Sequence, residues 1–594
     1  MCGIAGDLVF TTTAPDREAV FRMADSMAAR GPDGAGLWCK DWVCLAHRRL
    51  SVIDLSEAGA QPMVDEELGL TISFNGCIYN HNQLREELRS HYRFSSTSDT
   101  EVIIKAYAHW GEHFVDHLVG MFAIALYDQR RNRVILARDR LGIKPLYLSR
   151  QSKRLRFAST VPALLAGGAV DTSLDPVALH HYLSWHSIVP APRTILQGVE
   201  KLPAATVRII ESDGTERDRI FWTAQYSRDA ERSTWSEDDW MDAIHESLRT
   251  AVERRLVADV PVGVLLSGGL DSSLLVGLLA EAGQSHVKTF SIGFDDAGGQ
   301  SGDEFEFSDI VAKQFGTDHH RLHIDNAELA PAVRRAVAAM TEPMASHDVT
   351  AFYLLSEAVS QHVKVVQSGQ GADEVFAGYD YHRAAASVPR TSAVDAFTES
   401  FVDRRHQDVL DLLDPALAPS TDVSREALER NLGAEGADST LDALLRLDTH
   451  SLMIDDPVKR VDSMTMAFGL EARVPFLDQD LVSLAAQCPP ELKLRDEGKG
   501  PLKALGREIL PREVVDRPKG YFPVPQLCHL DGEVLDMVRE VMLAPEARDR
   551  GVFRSDRVDA LLDDPNGSLT PTGTNTLWSL AVLEMWLQNN DVGK

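Results

Sequence analysis

The sequence predicts a two-domain chain of mixed α/β and α+β class: a β-rich first part with a few helices, then a parallel sheet flanked by helices. Three observations carry this. The chain has 594 residues, too many for one ordinary core. Its first two hundred residues hold short strand-like runs separated by turn residues. From Met241 strand and helix patterns alternate, as in a parallel sheet covered by helices.

Taken in order, the segment from Leu70 to Phe74 reads as a strand, and Ser98-Asp99-Thr100-Glu101 opens a helix with Val102, Ile103, Ala106 and Tyr107 at helical spacing. Met121 to Tyr127 and Arg133 to Leu136 read as strands around a turn at 128–132. Pro190-Ala191-Pro192 and Leu202-Pro203-Ala204 punctuate the end of this part, giving a first domain over 1–210. The polar stretch 211–239 reads as a linker and 240–594 as the second domain. There, strands are expected at Pro261 to Leu266, Lys288 to Phe294, His319 to Ile324 and Val363 to Gln367, and helices at Ser272 to Glu281, Ser308 to Phe315 and Phe352 to Gln361. The remainder, from about Ala384, reads as mostly helical, and the chain shows no internal repeat.

Composition narrows the function classes. The chain is 44% hydrophobic and 25% charged, as in soluble globular proteins. No apolar run approaches the ~18–20 residues that a membrane helix needs, and the start has neither the basic nor the apolar region of a signal peptide. A net charge of −29 argues against a nucleic-acid partner. Six cysteines at 2, 39, 44, 77, 488 and 528 form no CxxC pair, so neither zinc nor a disulfide framework is expected, and the compartment reads as reducing cytoplasm.

The chain opens Met1-Cys2-Gly3-Ile4-Ala5-Gly6. Once Met1 is removed, Cys2 carries a thiol and a free α-amine whose ordinary pKa lies near 7.7–8.0, so one residue supplies nucleophile and base. His47-Arg48-Arg49-Leu50, Phe74-Asn75-Gly76-Cys77-Ile78-Tyr79-Asn80 and Ser98-Asp99 follow. Read singly, Arg49 is equally a solvated strand arginine, Asp99 a helix cap and Asn75-Gly76 a hairpin turn. As a set behind Cys2 they resemble the class II glutamine amidotransferase domain, an N-terminal-nucleophile (Ntn) hydrolase built as an αββα sandwich. The resemblance implies that Cys2 attacks the side-chain amide of glutamine. It makes Asn75 and the Gly76 N–H the oxyanion hole, has Arg49 clamp the substrate α-carboxylate, and has Asp99 hold its α-ammonium.

In the second half, Leu266-Ser267-Gly268-Gly269-Leu270-Asp271-Ser272-Ser273 lies between a strand and a helix. Glycines there admit a phosphate to the backbone and the helix start presents free N–H groups. No Walker A pattern occurs, since Gly498-Lys499 is followed by Gly500. A second glycine loop, Gln367-Ser368-Gly369-Gln370-Gly371-Ala372-Asp373-Glu374, follows another strand, and ligands bind at such strand ends. Later come Gly469-Leu470-Glu471-Ala472-Arg473-Val474-Pro475-Phe476-Leu477-Asp478, then Lys499, then Arg517-Pro518-Lys519-Gly520. Together these resemble the synthetase domain of the asparagine synthetase family, a pyrophosphate-loop (adenine nucleotide alpha hydrolase-like) parallel sheet with additional helices. With the first half, the resemblance covers nearly the whole chain.

That resemblance implies an EC 6.3.5-type carbon–nitrogen ligase. ATP adenylates a carboxylate, ammonia from glutamine reaches the acyl-adenylate through an internal tunnel, and the products are an amide, AMP, pyrophosphate and glutamate. Ser267, Gly268, Gly269 and Ser272 would cradle pyrophosphate, and Asp271 and Asp373 would hold Mg²⁺. Leu265, Ile292, Ser368 and Gly369 would line the AMP site, and Lys519, with Lys499 as second candidate, would neutralise the leaving pyrophosphate. Expected partners are glutamine, ATP, a carboxylate acceptor and a second copy of the chain as a homodimer, with no nucleic acid and no membrane.

Two residues depart from the family pattern. Gln370 stands where asparagine synthetases usually carry a carboxylate, and Cys77 where the family usually has glutamate. An amide cannot take a proton from attacking ammonia. Further strings, His180-His181-Tyr182-Leu183-Ser184-Trp185-His186 and Ser346-His347-Asp348-Val349-Thr350, resemble the N-acetylglutaminylglutamine amide synthases of bacterial osmolyte production. The expectation is therefore amidation of that capped dipeptide, with asparagine synthesis from aspartate as runner-up. A glutaminase or binding protein with a degenerate second half is disfavoured by the intact SGGLDS loop. A β-lactam-forming cyclase is disfavoured by retention of Cys2, Arg49, Asn75 and Asp99.

Overall fold

A computed structural model describes residues 2–295, 302–517, 524, 527 and 529–593. Its first part contains two six-stranded sheets of antiparallel neighbours. One runs in the order Glu200–Lys201, Tyr147–Gln151, Arg154–Ala158, Gly3–Val9, Val43–Arg49, Gly34–Lys40. The other runs Glu216–Ile220, Thr206–Glu211, Arg133–Arg138, Gly120–Asp128, Leu70–Ile78, Met63–Asp65. Strand alternation gives each sheet two apolar faces. Ile4, Leu8, Val43 and Leu45 of the first sheet pack against Ala123, Ala125, Val134 and Leu136 of the second. The outer face of the second sheet buries Ile72 and Phe74 under Ile103 and Tyr107 of the helix Asp99–Trp110. The outer face of the first carries Val20 and Met23 of the helix Arg17–Ser26. This is the expected αββα sandwich.

The segment 211–239, read from composition as a linker, opens inside this sandwich: Glu216–Ile220 pairs antiparallel with Thr206–Glu211. The helix Glu237–Arg254 follows, capped by Ser236 and Asp239. The third sheet is all-parallel, in the order Asp318–Ile324, Lys288–Phe294, Val262–Leu265, Val365–Gln367, Glu471–Arg473. Leu248 and Leu275 cover one face and Val333, Val349 and Leu583 the other, so its four inner and far-edge strands are buried, whereas the edge strand Asp318–Ile324 stays mostly exposed or half-buried. Four of the five strands lie where the sequence predicts them. The fifth, Glu471–Arg473, is three residues long with a charge at each end, and lies in a region read as helical.

Buried ion pairs fix the two halves together. Arg30 and Lys144 of the sandwich both meet Asp462 (2.9 and 3.2 Å), and Lys201 meets Asp455 and, at 3.0 Å, Glu342. Asp455 and Asp462 belong to one long helical run that includes wide π-helical turns at Asp448–Leu452 and Ile454–Val458, the second containing Pro457. Removing one partner of such a pair typically costs about 3–5 kcal/mol, because the other charge stays buried alone. The cysteine expectation is corrected: Cys39 and Cys44, directly opposed on neighbouring strands, form a disulfide. Their cross-strand pairing, not their spacing, brings the sulfurs together. Among the described residues no helix is long and apolar enough to cross a membrane.

Candidate active sites

The first site lies where the strands Gly3–Val9 and Leu70–Ile78 approach the start of the helix Asp99–Trp110. Cys2, Arg49, Gly76, Cys77, Asp99 and Glu471 line a small cavity. The Cys2 N–H donates to Asn75 Oδ1 at 2.9 Å. Asn75 is fully buried, and its Nδ2 has no hydrogen-bond partner. An orphaned buried amide donor costs about 1–3 kcal/mol; Asn75 stands between Phe74 and Gly76, which line the cavity, and is not itself among the lining residues. Asn75 and Gly76 sit mid-strand and not in a hairpin turn; a Cβ on Gly76 would stand 2.1 Å from the Met121 carbonyl, so only glycine fits.

Burial pushes the Cys2 thiol up from its ordinary pKa. Its backbone carbonyl accepts from Arg30 Nε at 3.3 Å, the same arginine that pairs with Asp462. Arg49, in the cavity wall, donates to the carbonyls of Ser56 (2.8 Å) and Asp54. Asp99 is the first helical residue; Ser98 is the cap. One Asp99 oxygen accepts the Ile78 N–H at 3.0 Å, and burial raises its pKa against the nearby His81.

Sequence reading missed the floor of this cavity. Glu471 comes from the second domain, and its carboxylate accepts from Arg473 Nε at 2.6 Å. Burial opposes ionisation, yet charges beside it, Arg473 among them, hold the Glu471 carboxyl down at about 2. Arg473 in turn reaches Cys77 Sγ at 3.5 Å. The strand Glu471–Arg473 pairs with Val365–Gln367, and the Arg473 carbonyl accepts the N–H of Ser368, a wall residue of the second cavity, at 2.8 Å.

The second site is a cavity of about 730 Å³ at the carboxyl ends of the parallel strands. Of the residues assigned from sequence, Leu265, Ser267, Gly269, Asp271, Ser272, Ile292, Ser368, Gly369, Asp373 and Lys499 line it. Gly268 does not; it forms the turn behind them, with φ +77° and a would-be Cβ 2.6 Å from Ser308 N. The loop is held by Ser267 N–H to Ser272 Oγ (3.2 Å) and Gly269 N–H to Ser267 Oγ (3.3 Å). Lys519 lies outside the described residues.

Lys499 sits between the two acidic residues, its Nζ 2.6 Å from Asp271 Oδ2 and 2.9 Å from Asp373 Oδ2. Burial opposes its charge, but the two carboxylates win and hold its pKa above the ordinary value. Two hard oxygen donors thus converge on a point already shown to accept a cation, which fits Mg²⁺. Nearby Glu374 is buried and donated to by Tyr379 OH at 2.7 Å; burial, with the charge of Asp373, raises its pKa to about 7.

Gln370 lines the cavity, as do Asp348, Phe352 and Arg460, which the motif reading had not assigned. Arg460 Nη1 donates to Ser346 Oγ, Asp348 Oδ1 and Asp456 Oδ1 at 3.0 to 3.1 Å, while its buried Nε has no hydrogen-bond partner. Ser346 and Asp348, the partners that bring it to the cavity wall, lie over a hundred residues away in sequence, so no local pattern marks it.

Residues 243–588 match the Asparagine synthase family, and residues 1–222 match the Glutamine amidotransferase domain. The chain belongs to the asparagine synthase family. It is a glutamine-dependent carbon–nitrogen ligase. It is 32% identical to "Asparagine synthetase [glutamine-hydrolyzing] 3" of Bacillus subtilis, over 88% of this chain and 87% of that protein. Over 99% of this chain and 96% of the relative, it is 30% identical to "Asparagine synthetase [glutamine-hydrolyzing] 1" of the same organism. "Amidase chyE" of Penicillium rubens is also 30% identical, over 83% of each chain.

Proposed function

We propose that the enzyme amidates the terminal carboxylate of N-acetylglutaminylglutamine, using ammonia released from glutamine at Cys2. The observation that carries the acceptor assignment is Gln370: a neutral amide stands in the wall of the second cavity at the position where asparagine synthetases usually carry a carboxylate. The reach of that cavity past the glycine loops to Asp348, Phe352 and Arg460 supports a larger acceptor, because Arg460 Nε offers a buried, unpaired donor. Aspartate remains the second reading, favoured by the names of the two Bacillus relatives.

The chemistry divides between the cavities. At the first, removal of Met1 makes the Cys2 nitrogen an α-amine, positioned by Asn75 Oδ1, that takes the thiol proton. The thiolate attacks the glutamine amide carbon. Asn75 Nδ2 and the Gly76 N–H receive the oxyanion, and collapse releases ammonia and leaves a glutamyl thioester that water hydrolyses to glutamate. Arg49 and Asp99 orient the substrate's carboxylate and ammonium.

At the second cavity the acceptor carboxylate attacks the α-phosphate of ATP, giving an acyl-adenylate and pyrophosphate. Ammonia then attacks the acyl carbon and expels AMP. Ser267, Gly269 and Ser272 cradle the departing phosphates, Leu265, Ile292, Ser368 and Gly369 hold the adenylate, and Lys519 completes the charge around pyrophosphate. Asp271 and Asp373 would hold Mg²⁺, which when bound offsets the phosphate charge; Lys499 keeps the two carboxylates convergent. With Gln370 unable to accept a proton, the extra proton of the attacking ammonia leaves through a phosphate oxygen or water.

Steady-state kinetics on both acceptors test this. We expect kcat/KM for N-acetylglutaminylglutamine to exceed that for aspartate by at least about 10³, because a site built around amide groups leaves its own polar atoms unpaired with the smaller acceptor. Efficient asparagine formation with no turnover of the dipeptide would return the enzyme to the second reading.

A further inference from the structure

Away from both cavities, the helix Pro176–Ser184 of the first domain packs against two helices of the second, His406–Leu412 and Val423–Gly433. His180 is wholly buried there. Its Nε2 lies 2.9 Å from His406 Nδ1 and 4.0 Å from Asp422 Oδ1, and one ligand atom from each of the three residues falls within 4.8 Å of the others. None of the three lines either active-site cavity.

The surroundings orient this cluster as a metal site is oriented. His180 Nδ1 is 2.7 Å from Ser424 Oγ, and His181 Nδ1 is 2.9 Å from the same oxygen. If the His180 Nδ1–H donates to Ser424 and the Ser424 hydroxyl donates to His181, every atom is satisfied and the His180 Nε2 lone pair points at His406. Metal-bound histidines have this arrangement, the far ring nitrogen donating to an oxygen that fixes tautomer and ring plane. Asp422 is likewise fixed, capping its helix by accepting the Arg425 N–H at 3.0 Å.

We propose that His180, His406 and Asp422 form a binding site for a divalent transition metal ion, Zn²⁺ by its donor set, that clasps the amidotransferase domain to the helical part of the synthetase domain. Two imidazole nitrogens and one carboxylate oxygen suit Zn²⁺ better than Mg²⁺ or Ca²⁺, which prefer all-oxygen sets. Tetrahedral bonds of about 2.0–2.1 Å would place each pair of ligand atoms roughly 3.3 Å apart, so the two nitrogens open by a few tenths of an ångström and the part-exposed Asp422 oxygen, 4.0 Å from His180 Nε2, swings inward by the difference. The Asp422 side chain is 34% exposed, which leaves a fourth position for water and a route for entry. The ion would tie together helices more than two hundred residues apart in sequence, at a place where the first domain contributes a single buried ligand.

The test uses the full-length, tag-free enzyme stripped with a chelator and titrated with Co²⁺, then with Zn²⁺, by absorption and calorimetry. The wild type is expected to bind one equivalent with a visible d–d band and to gain several degrees in thermal midpoint with Zn²⁺. His406→Ala should lose the band, and its affinity should fall at least about 100-fold. Asp422→Asn, a near-isosteric change at a part-exposed residue, serves as the second variant and should weaken binding in the same sense, with ammonium-dependent AMP formation confirming that each variant is folded. A cobalt band and affinity unchanged in Asp422→Asn, or absence of a band in the wild type at millimolar Co²⁺, overturns the proposal. Binding shared equally by wild type and both variants would mean adventitious capture elsewhere, such as at Cys2.

Discussion

Asn75→Ala is the most direct probe of the first site. The side chain is fully buried, its Oδ1 accepts the Cys2 N–H at 2.9 Å, and its Nδ2 is unsatisfied. In the ground state the substitution removes one orphaned donor, worth about 1–3 kcal/mol of relief, and orphans the Cys2 N–H, worth about the same penalty. The two offset, so the thermal midpoint should move by only a few degrees. In the transition state nothing offsets the loss: one preorganised oxyanion donor is gone, which typically lowers kcat about 10²–10³-fold, or about 2.7–4 kcal/mol. The assay is paired: amide formation and AMP release with glutamine, then with ammonium chloride. Asn75 has no part in the second cavity, so the ammonium-driven rate should stay within about twofold of wild type. An equal fall in both rates, or a glutamine-driven kcat within threefold of wild type in a folded variant, would refute the oxyanion role.

Three further outcomes are expected. Cys2→Ala should abolish glutamine-driven turnover and leave the ammonium-driven reaction, and mass spectrometry of the mature enzyme should find Cys2 at the amino terminus. Asp271→Asn and Lys519→Ala should each cut product formation from either nitrogen source about 10²–10³-fold while glutamine hydrolysis survives, and the nucleotide products should be AMP and pyrophosphate, not ADP and phosphate. The third concerns pH. Burial disfavours protonated His186, but Asp403 at 3.3 Å outweighs it and raises the pKa from 6.5 to about 9. A raised folded-state pKa contributes stability that is complete below the unfolded value and lost as pH climbs through the folded one. Stability should therefore decline between about pH 6.5 and 9, and Asp403→Asn should flatten that decline in denaturant titrations.

Part of this enzyme is written locally. The helix opening at Ser98-Asp99 follows from residue type and spacing, because a helix start is decided by neighbours within a few positions, although the cap is Ser98 and not Asp99. The SGGLDS loop is legible for the same reason: a strand, a glycine turn and a helix start are consecutive, and the cavity forms where they meet. The linker expectation failed at 216–220 because polar, exposed edge residues carry little apolar signal even when they pair in a sheet.

The sequence by itself marked the mixed α/β class, the positions of most strands of the parallel sheet and the two glycine loops at its strand ends. Only the tertiary structure decided that Glu471 closes the first cavity, that Arg473 meets Cys77, that Cys39 faces Cys44, and that Asp462 anchors the arginine holding the Cys2 carbonyl. Each is a contact between elements set by register or by packing of one domain on the other. Local pattern has no access to it, because the register that sets Cys39 opposite Cys44 and the partners that the buried charges find exist only once the chain has folded.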